Sequence, residues 1–293
     1  MRTPDHGILI IDKPPGITSR EAIDRAARWF PRGTKLGHAG TLDPLATGVL
    51  VICIGVATRL IEYIQTMSKT YVAEFRLGAT SDTDDAEGII SVAVTGTSPD
   101  PETVAKSLQE FVGIIEQRPP AFSAARVGGQ RAYSLARQGK DFDLKPRKVH
   151  VYRIALIDYA YPRLNIDVHC GKGTYIRSLA RDLGRRLECG AYVQSLRRTQ
   201  VGPFRVADGI ELDSDPSQLS VLSIEHAVSD LPQLTFEDND TKRLKLGQGV
   251  PMVGIEEAEK TTAAVFDQAR RLVAIVRSEP QHKMWLPIKV LGK

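Results

Sequence analysis

Cysteine is scarce in this chain, and long apolar runs are missing from it. The three cysteines, Cys53, Cys170 and Cys189, are odd in number, widely separated and without paired metal-ligand spacing, which argues against a disulfide framework and against a zinc site. Buried thiols are expected instead. No run approaches the roughly 20 apolar residues needed to span a bilayer, and the stretch from Met1 to His6 holds no long apolar segment, so a cytoplasmic protein without membrane attachment is expected. Two local patterns that suggest a bound ion or nucleotide also fail. In the acidic run Asp82, Asp84, Asp85 and Glu87, counted from Asp82, a calcium loop needs glycine where Glu87 stands and glutamate where Ala93 stands, so a solvated loop is expected. The Gly171-Lys172-Gly173-Thr174 stretch lacks the Gly-Lys-Ser/Thr tripeptide of a phosphate loop, and Ile166 occupies the position of its earlier glycine.

What is present fits a packed globular chain: 293 residues, 42% of them apolar, are enough for one large domain and a small one. The net charge of +4 conceals an asymmetry. From Arg118 to Arg205 eighteen Lys and Arg face six Asp and Glu, a net of +12, which leaves −8 for the remainder. Positive charge concentrated in one third of a chain suits a polyanionic partner held through phosphate contacts, or else a solvated basic surface.

The chain is organised around Gly37-His38-Ala39-Gly40-Thr41-Leu42-Asp43-Pro44-Leu45-Ala46-Thr47-Gly48, an ordered loop with little helix or strand propensity. Val49 to Ile54 follows as a buried strand that anchors it. On local chemistry Asp43, before a proline, is a turn residue bonding nearby backbone N–H groups. Before this loop, Gly7 to Ile11 reads as a strand running into the rigid turn Asp12-Lys13-Pro14-Pro15-Gly16, and Ser19 caps a helix to about Phe30. After it, Ala57 to Thr66 has helical spacing, and Lys69 to Leu77 alternates with Tyr71, Ala73, Phe75 and Leu77 on one face, making Tyr71 a core aromatic. Asp100 and Pro101 open another helix. Arg118 to Leu144, with Pro119-Pro120 and Gly128-Gly129, reads as a mobile basic loop whose Arg126, Arg131, Arg137 and Lys140 grip phosphates and fold on binding. Two strands follow between Val149 and Cys170. In the next helix Ile176, Leu179, Ala180, Leu183 and Leu187 form the apolar face, and Arg177 stands in the first turn, where the helix dipole gives a cation no advantage. A carboxylate or phosphate partner explains that placement. Strand-like runs at Ala263–Phe266, Leu272–Val276 and Leu286–Leu291 suit a small β-rich unit.

Taken together, the Asp43 loop resembles the signature loop of the tRNA pseudouridine synthase B family. The stretches Gly7–Ser19, Ser68-Lys69-Thr70-Tyr71, Leu77–Gly88, Arg118–Ala124 and Gly173–Leu179 resemble other motifs of that family in the same order. The resemblance implies an α+β fold with a mixed, mainly antiparallel central sheet flanked by helices. It divides the chain into a catalytic domain, residues 1–230, with a thumb-like insertion at about 118–144, and a PUA-like RNA-binding domain, residues 231–293. Phe122 stands where the family usually has tyrosine, and Arg126 where it usually has lysine.

The activity implied is isomerisation of uridine to pseudouridine at position 55 in the T-loop of tRNA, an isomerase reaction without metal, redox agent or other cofactor. The resemblance makes Asp43 the catalytic carboxylate, pairs it with Arg177, and sets Tyr71 against the target base. Leu196 lines the uracil pocket, His38 fills the space that the flipped base leaves in the RNA, and Lys13 supports the cleft. Arg126, Arg131 and Lys140 contact the substrate. Whether the carboxylate attacks uracil, attacks C1′ or assists formation of a glycal-like intermediate is left open by the sequence. The expected partner is the T-arm stem-loop of tRNA, bound by a monomer with no obligatory protein partner. Two other readings stand beside it: a guide-RNA-dependent relative using the same aspartate, and a non-catalytic tRNA-binding or folding protein.

Overall fold

Strand propensity and apolar content coincide most strongly in the segment after the Asp43 loop, and the computed structural model places that segment inside the main sheet, with a strand paired on each side. Residues 6–92, 98–252 and 261–291 are described; residues 1–5 and Ala93, which entered the readings above, lie outside them. Seven of the eleven strands in the main sheet carry the argument: β1 (Gly7–Lys13), β2 (Thr47–Ile54), β3 (Lys69–Leu77), β4 (Gly113–Gln117), β5 (Arg147–Ala160), β6 (Arg163–Cys170) and β7 (Ala191–Val201). Their spatial order is β1-β2-β7-β3-β6-β5-β4. β7 runs parallel to β2 and every other neighbouring pair in this series is antiparallel, so the sheet is mixed and mainly antiparallel. The helices are α1 (Ser19–Ala26), α2 (Ile61–Thr66), α3 (Pro101–Gln109), α4 (Ala132–Arg137), α5 (Ile176–Arg186) and α6 (Asp238–Lys245).

One face of the sheet is covered by α1, α3 and α5, whose Ala22, Ile23, Val104, Leu108, Leu179 and Leu183 join Tyr71, Ala73, Phe75 and Leu77 in a single core. The alternation of β3 thus puts Tyr71 where period-two reasoning expects it. The opposite face of β1 and β2 is also covered, by Leu60, Ile64 and Phe204, and by Phe266, Leu272 and Ile275 of a second sheet. Burial on both faces explains why these two strands read as continuous apolar runs rather than alternating ones.

The second sheet contains β8 (Gln233–Thr235), β9 (Val250–Pro251), β10 (Thr262–Phe266), β11 (Leu272–Glu279) and β12 (Met284–Val290), in the order β8-β10-β11-β12-β9. It forms a β-rich C-terminal unit, and β8 and β9 are too short for periodicity to register. Its last strand is clamped onto the start of α2: Arg59 Nη1 donates to the Val290 carbonyl at 2.6 Å, and Lys289 pairs with Glu62 and lies over the Tyr63 ring.

Three expectations need correction. Thr18, not Ser19, caps α1: its hydroxyl accepts from the Glu21 N–H while the Glu21 carboxylate accepts from the Thr18 N–H. The acidic run is not a solvated loop, because Asp85 is buried and Asp84 is paired with Arg181 at 3.0 Å. The 118–144 segment is not structureless either. A two-residue turn at Gly128-Gly129, both at positive φ, joins Arg126–Val127 to Gln130–Arg131, and α4 then buries Ala132 and Leu135, with Leu144 also buried beyond it.

Candidate active site

Three segments far apart in sequence meet around Asp43. The loop that carries Asp43 is tied from several sides. Ser19 Oγ donates to the Leu42 carbonyl at 3.0 Å and accepts from the Leu42 N–H at 2.8 Å. Lys13, wholly buried, points its Nζ at the carbonyls of Pro14, Ile17 and Pro44, at 2.8, 2.8 and 3.2 Å. The Gly16 N–H also donates to the Pro44 carbonyl, at 2.9 Å. The Asp-Pro turn is real, but it is closed by the Asp43 carbonyl, which accepts from the Ala46 N–H at 3.1 Å. The carboxylate faces elsewhere.

That carboxylate meets Arg177, whose Nε stands 2.9 Å from Asp43 Oδ2. The Nε–H is not aligned on an acceptor, so the contact is an ion pair rather than a straight hydrogen bond. The same guanidinium reaches Asp85 Oδ2 at 3.2 Å through Nη1, donates to the Thr83 carbonyl at 3.1 Å, and donates through Nη2 to the Phe122 carbonyl at 2.9 Å. The first turn of α5 therefore carries a cation because two carboxylates converge on it. Asp85, which the sequence offered only as part of an acidic run, is the buried one of the pair. It also accepts from the Thr83 hydroxyl at 2.6 Å and from the Glu87 N–H at 3.1 Å.

Burial pushes the Asp43 carboxyl above the usual carboxylate range, Arg177 opposes the rise most strongly, and Asp85 adds to it. About a third of the side-chain surface stays exposed (33%), so solvent moderates the effect. Lys13 and Glu87 also lie within electrostatic reach of this carboxylate. Burial pulls the Lys13 ammonium down to about 8, with Asp43 opposing. The Tyr71 phenol is raised by burial while the nearby Arg198 charge favours its ionised form.

The remaining candidates fall into two groups. Tyr71 on β3, and Leu196 and Arg198 on β7, are brought together beside the loop: Leu196 is opposite Ala73 and Arg198 opposite Tyr71 in the antiparallel register. Tyr71 and Leu196 share the core cluster that holds Leu42 and Ala46. His38 sits half-buried on a short strand, Leu36–His38, opposite Ile52 of β2, and burial lowers its pKa. Arg126, Arg131 and Lys140 are exposed on the thumb hairpin and beyond α4, and none of them contributes to the Asp43 ion-pair cluster. Arg198 belongs to the stretch Ser195-Leu196-Arg197-Arg198-Thr199, in which the sequence reading gives a role to Leu196 alone.

Known proteins resemble this chain in sequence and in fold. A family model described as "TruB family pseudouridylate synthase (N terminal domain)" matches residues 28–176, and one described as "tRNA pseudouridylate synthase B C-terminal domain" matches residues 177–214. Among curated relatives, a protein named tRNA pseudouridine synthase B from Dehalococcoides mccartyi (strain CBDB1) is 40% identical over 291 residues, covering 97% of this chain and 96% of its own length. One of the same name from Xanthomonas campestris pv. campestris (strain 8004) is 41% identical over 273 residues, covering 90% and 87%. Among solved structures, a chain of an H/ACA RNP bound to a substrate RNA containing 2′-deoxyuridine superposes with a TM-score of 0.75 at 24% identity, over 98% of this chain and 85% of that one, which shows the shared fold. On the family match and the near-full-length identity, the chain belongs to the TruB family of pseudouridylate synthases, and is an isomerase.

Proposed function

We propose that the chain isomerises uridine to pseudouridine in the T-loop of tRNA, at position 55, with Asp43 as the catalytic carboxylate. The relatives' name supports tRNA as substrate, and the basic stretch from Arg118 to Arg205 suits an RNA backbone. The observation that carries the mechanistic reading is the Asp43–Arg177 pair at 2.9 Å, with Tyr71 and Leu196 packed in the core beside Leu42 and Ala46 of the same loop.

The reaction breaks the N1–C1′ bond, turns the uracil, joins C5 to C1′, and removes the C5 proton while N1 gains one, so the composition is unchanged. The protein has to take the base out of its stack and keep both fragments in place. A carboxylate beside base and sugar serves attack on the uracil ring, attack on C1′, or assistance to a glycal-like intermediate in which Tyr71 is the base that takes the C2′ proton. Tyr71 stacks on the flipped uracil, Leu196 lines its pocket, and His38 takes the vacated place in the RNA. The thumb residues Arg126, Arg131 and Lys140 hold phosphates, and the C-terminal sheet is a PUA-like RNA-binding unit. The chain acts as a monomer and needs no guide RNA, cofactor or partner protein.

The test is activity of the purified chain and of Asp43→Asn on unmodified tRNA, with nothing else added. Parent activity with loss of essentially all turnover in the variant, at retained tRNA affinity, is expected, because the amide keeps the shape and loses the ionised oxygen. Pseudouridine formation by Asp43→Asn sinks the assignment of the carboxylate. Parent activity that appears only with a guide RNA and partner proteins favours the guided reading, and tRNA binding without any turnover favours the non-catalytic one.

A further inference from the structure

Arg198 has no part in the mechanism above, yet it is 3% exposed and touches the catalytic loop on both sides of Asp43. Its Nε donates to the Val49 carbonyl at 2.8 Å, its Nη1 to the Thr41 carbonyl at 3.3 Å, and its Nη2 to the Gly40 carbonyl at 3.1 Å. Gly40 and Thr41 precede Asp43 and Val49 follows it, so one planar group fixes the two limbs of the loop relative to each other. The guanidinium spreads its donors across a rigid plane and so ties two separate limbs of the loop, whereas a lysine ammonium, as at Lys13, gathers its donors on one nitrogen. The backbone at Arg198 is engaged as well. It lies opposite Gly48 of β2, where φ is +98° and a Cβ would stand 2.2 Å from the Arg198 carbonyl oxygen. Glycine at that position is what lets β7 come this close.

A buried cation bonded to carbonyls, rather than to a carboxylate, leaves its positive field to act on its neighbours. Asp43 lies on the loop that it holds and Tyr71 lies directly opposite it on β3. We propose that Arg198 is a positioning residue of the reaction: its fork gives the Asp43 loop one geometry, and its charge favours the carboxylate anion of Asp43. The inference rests on the assignment of Asp43 made above. The same carboxylate is faced by Arg177 from α5, by Asp85 and Glu87 from the acidic loop, and by Lys13 from β1, so Arg198 is one of three cations acting on it.

The experiment compares Arg198→Lys, Arg198→Met and Asp43→Asn with the parent, by single-turnover isomerisation of a T-arm hairpin across pH at saturating protein and by hairpin affinity. Rates are normalised to the folded fraction, measured by titration with the same hairpin. Arg198→Met should lose about 10- to 100-fold in the saturated rate, the scale on which mispositioning acts, with hairpin Kd changed by less than about threefold, and the acid limb of its rate profile should move to higher pH. Arg198→Lys keeps the charge without the fork, so its rate should fall while its acid limb stays at the parent position. A parent rate in Arg198→Met, an unmoved limb in Arg198→Met, or a loss confined to Kd overturns the inference. Arg198→Met insoluble with a parent rate in Arg198→Lys overturns the positioning role too. Turnover by Asp43→Asn, in contrast, overturns the underlying assignment whatever the Arg198 variants do.

Discussion

Ser19 and Leu42, 23 positions apart, are joined by a reciprocal pair of buried hydrogen bonds: the Ser19 hydroxyl donates to the Leu42 carbonyl and accepts from the Leu42 N–H. The residue next to Asp43 is thereby fastened to the first turn of α1. Ser19→Ala leaves a donor and an acceptor without partners, which costs about 1–3 kcal/mol for a buried group. A lower Tm and a reduced saturated turnover at near-parent tRNA affinity are expected, measured by thermal unfolding and single-turnover kinetics. Parent values of both contradict the idea that this tie fixes the loop.

Arg177 is the strongest influence opposing the burial-driven rise of the Asp43 carboxyl, and the sign of its removal follows. In Arg177→Ala the carboxyl rises further, so protonation sets in at higher pH and the acid limb of the rate profile shifts upward. Turnover should fall at every pH, with a smaller change in RNA affinity, because the partner is a carboxylate rather than a phosphate. A profile that drops in height but keeps its parent limb separates positioning from charge and removes the electrostatic half of the claim.

The thumb residues make a contrasting prediction. Arg126, Arg131 and Lys140 are exposed and take part in none of the ion pairs that join Asp43, Arg177 and Asp85. Replacing all three with neutral residues should weaken tRNA binding and lower the slope of log K against log salt by about 2–3, one unit or slightly less per phosphate contact. Saturated turnover should change little. An unchanged slope shows that these cations do not meet the RNA backbone.

Much of this was legible in the chain, and what was not has a common cause. The β3 alternation placed Tyr71, and the dipole mismatch at Arg177 demanded an anion before any partner was visible. Period and polarity are local, so they survive translation into structure. Asp85 and Asp84 looked solvated because their arginine partners stand more than 90 positions away on α5. The sequence puts the cap at Ser19 because nothing local shows that Leu42 claims that hydroxyl, which leaves the cap to Thr18. Arg198 drew no role from the sequence because its partners are carbonyls, and every residue supplies a carbonyl.

The last prediction concerns the boundary at Leu231. A catalytic unit with an independent appendage should tolerate removal of residues 231–293 and lose affinity rather than chemistry. The packing argues otherwise. Phe266, Leu272 and Ile275 lie in the same buried cluster as Ile8, Ile10, Val49 and Val51, behind the strands that carry the Lys13 turn and the Asp43 loop. Leu272 N–H also donates to the Glu225 carboxylate at 3.1 Å, and β12 is clamped at Arg59. Each large apolar side chain fully buried contributes roughly 1.5–3 kcal/mol, against a whole-domain margin of about 5–15 kcal/mol. Truncation before Leu231 should therefore lower Tm by about 10 °C or more and reduce turnover together with affinity, because the floor of the catalytic loop loses its backing. Thermal unfolding of intact and shortened protein, followed by single-turnover assay of the soluble fraction, decides it. A shortened protein that unfolds at the parent temperature and isomerises at the parent saturated rate shows that the second sheet is an appendage after all.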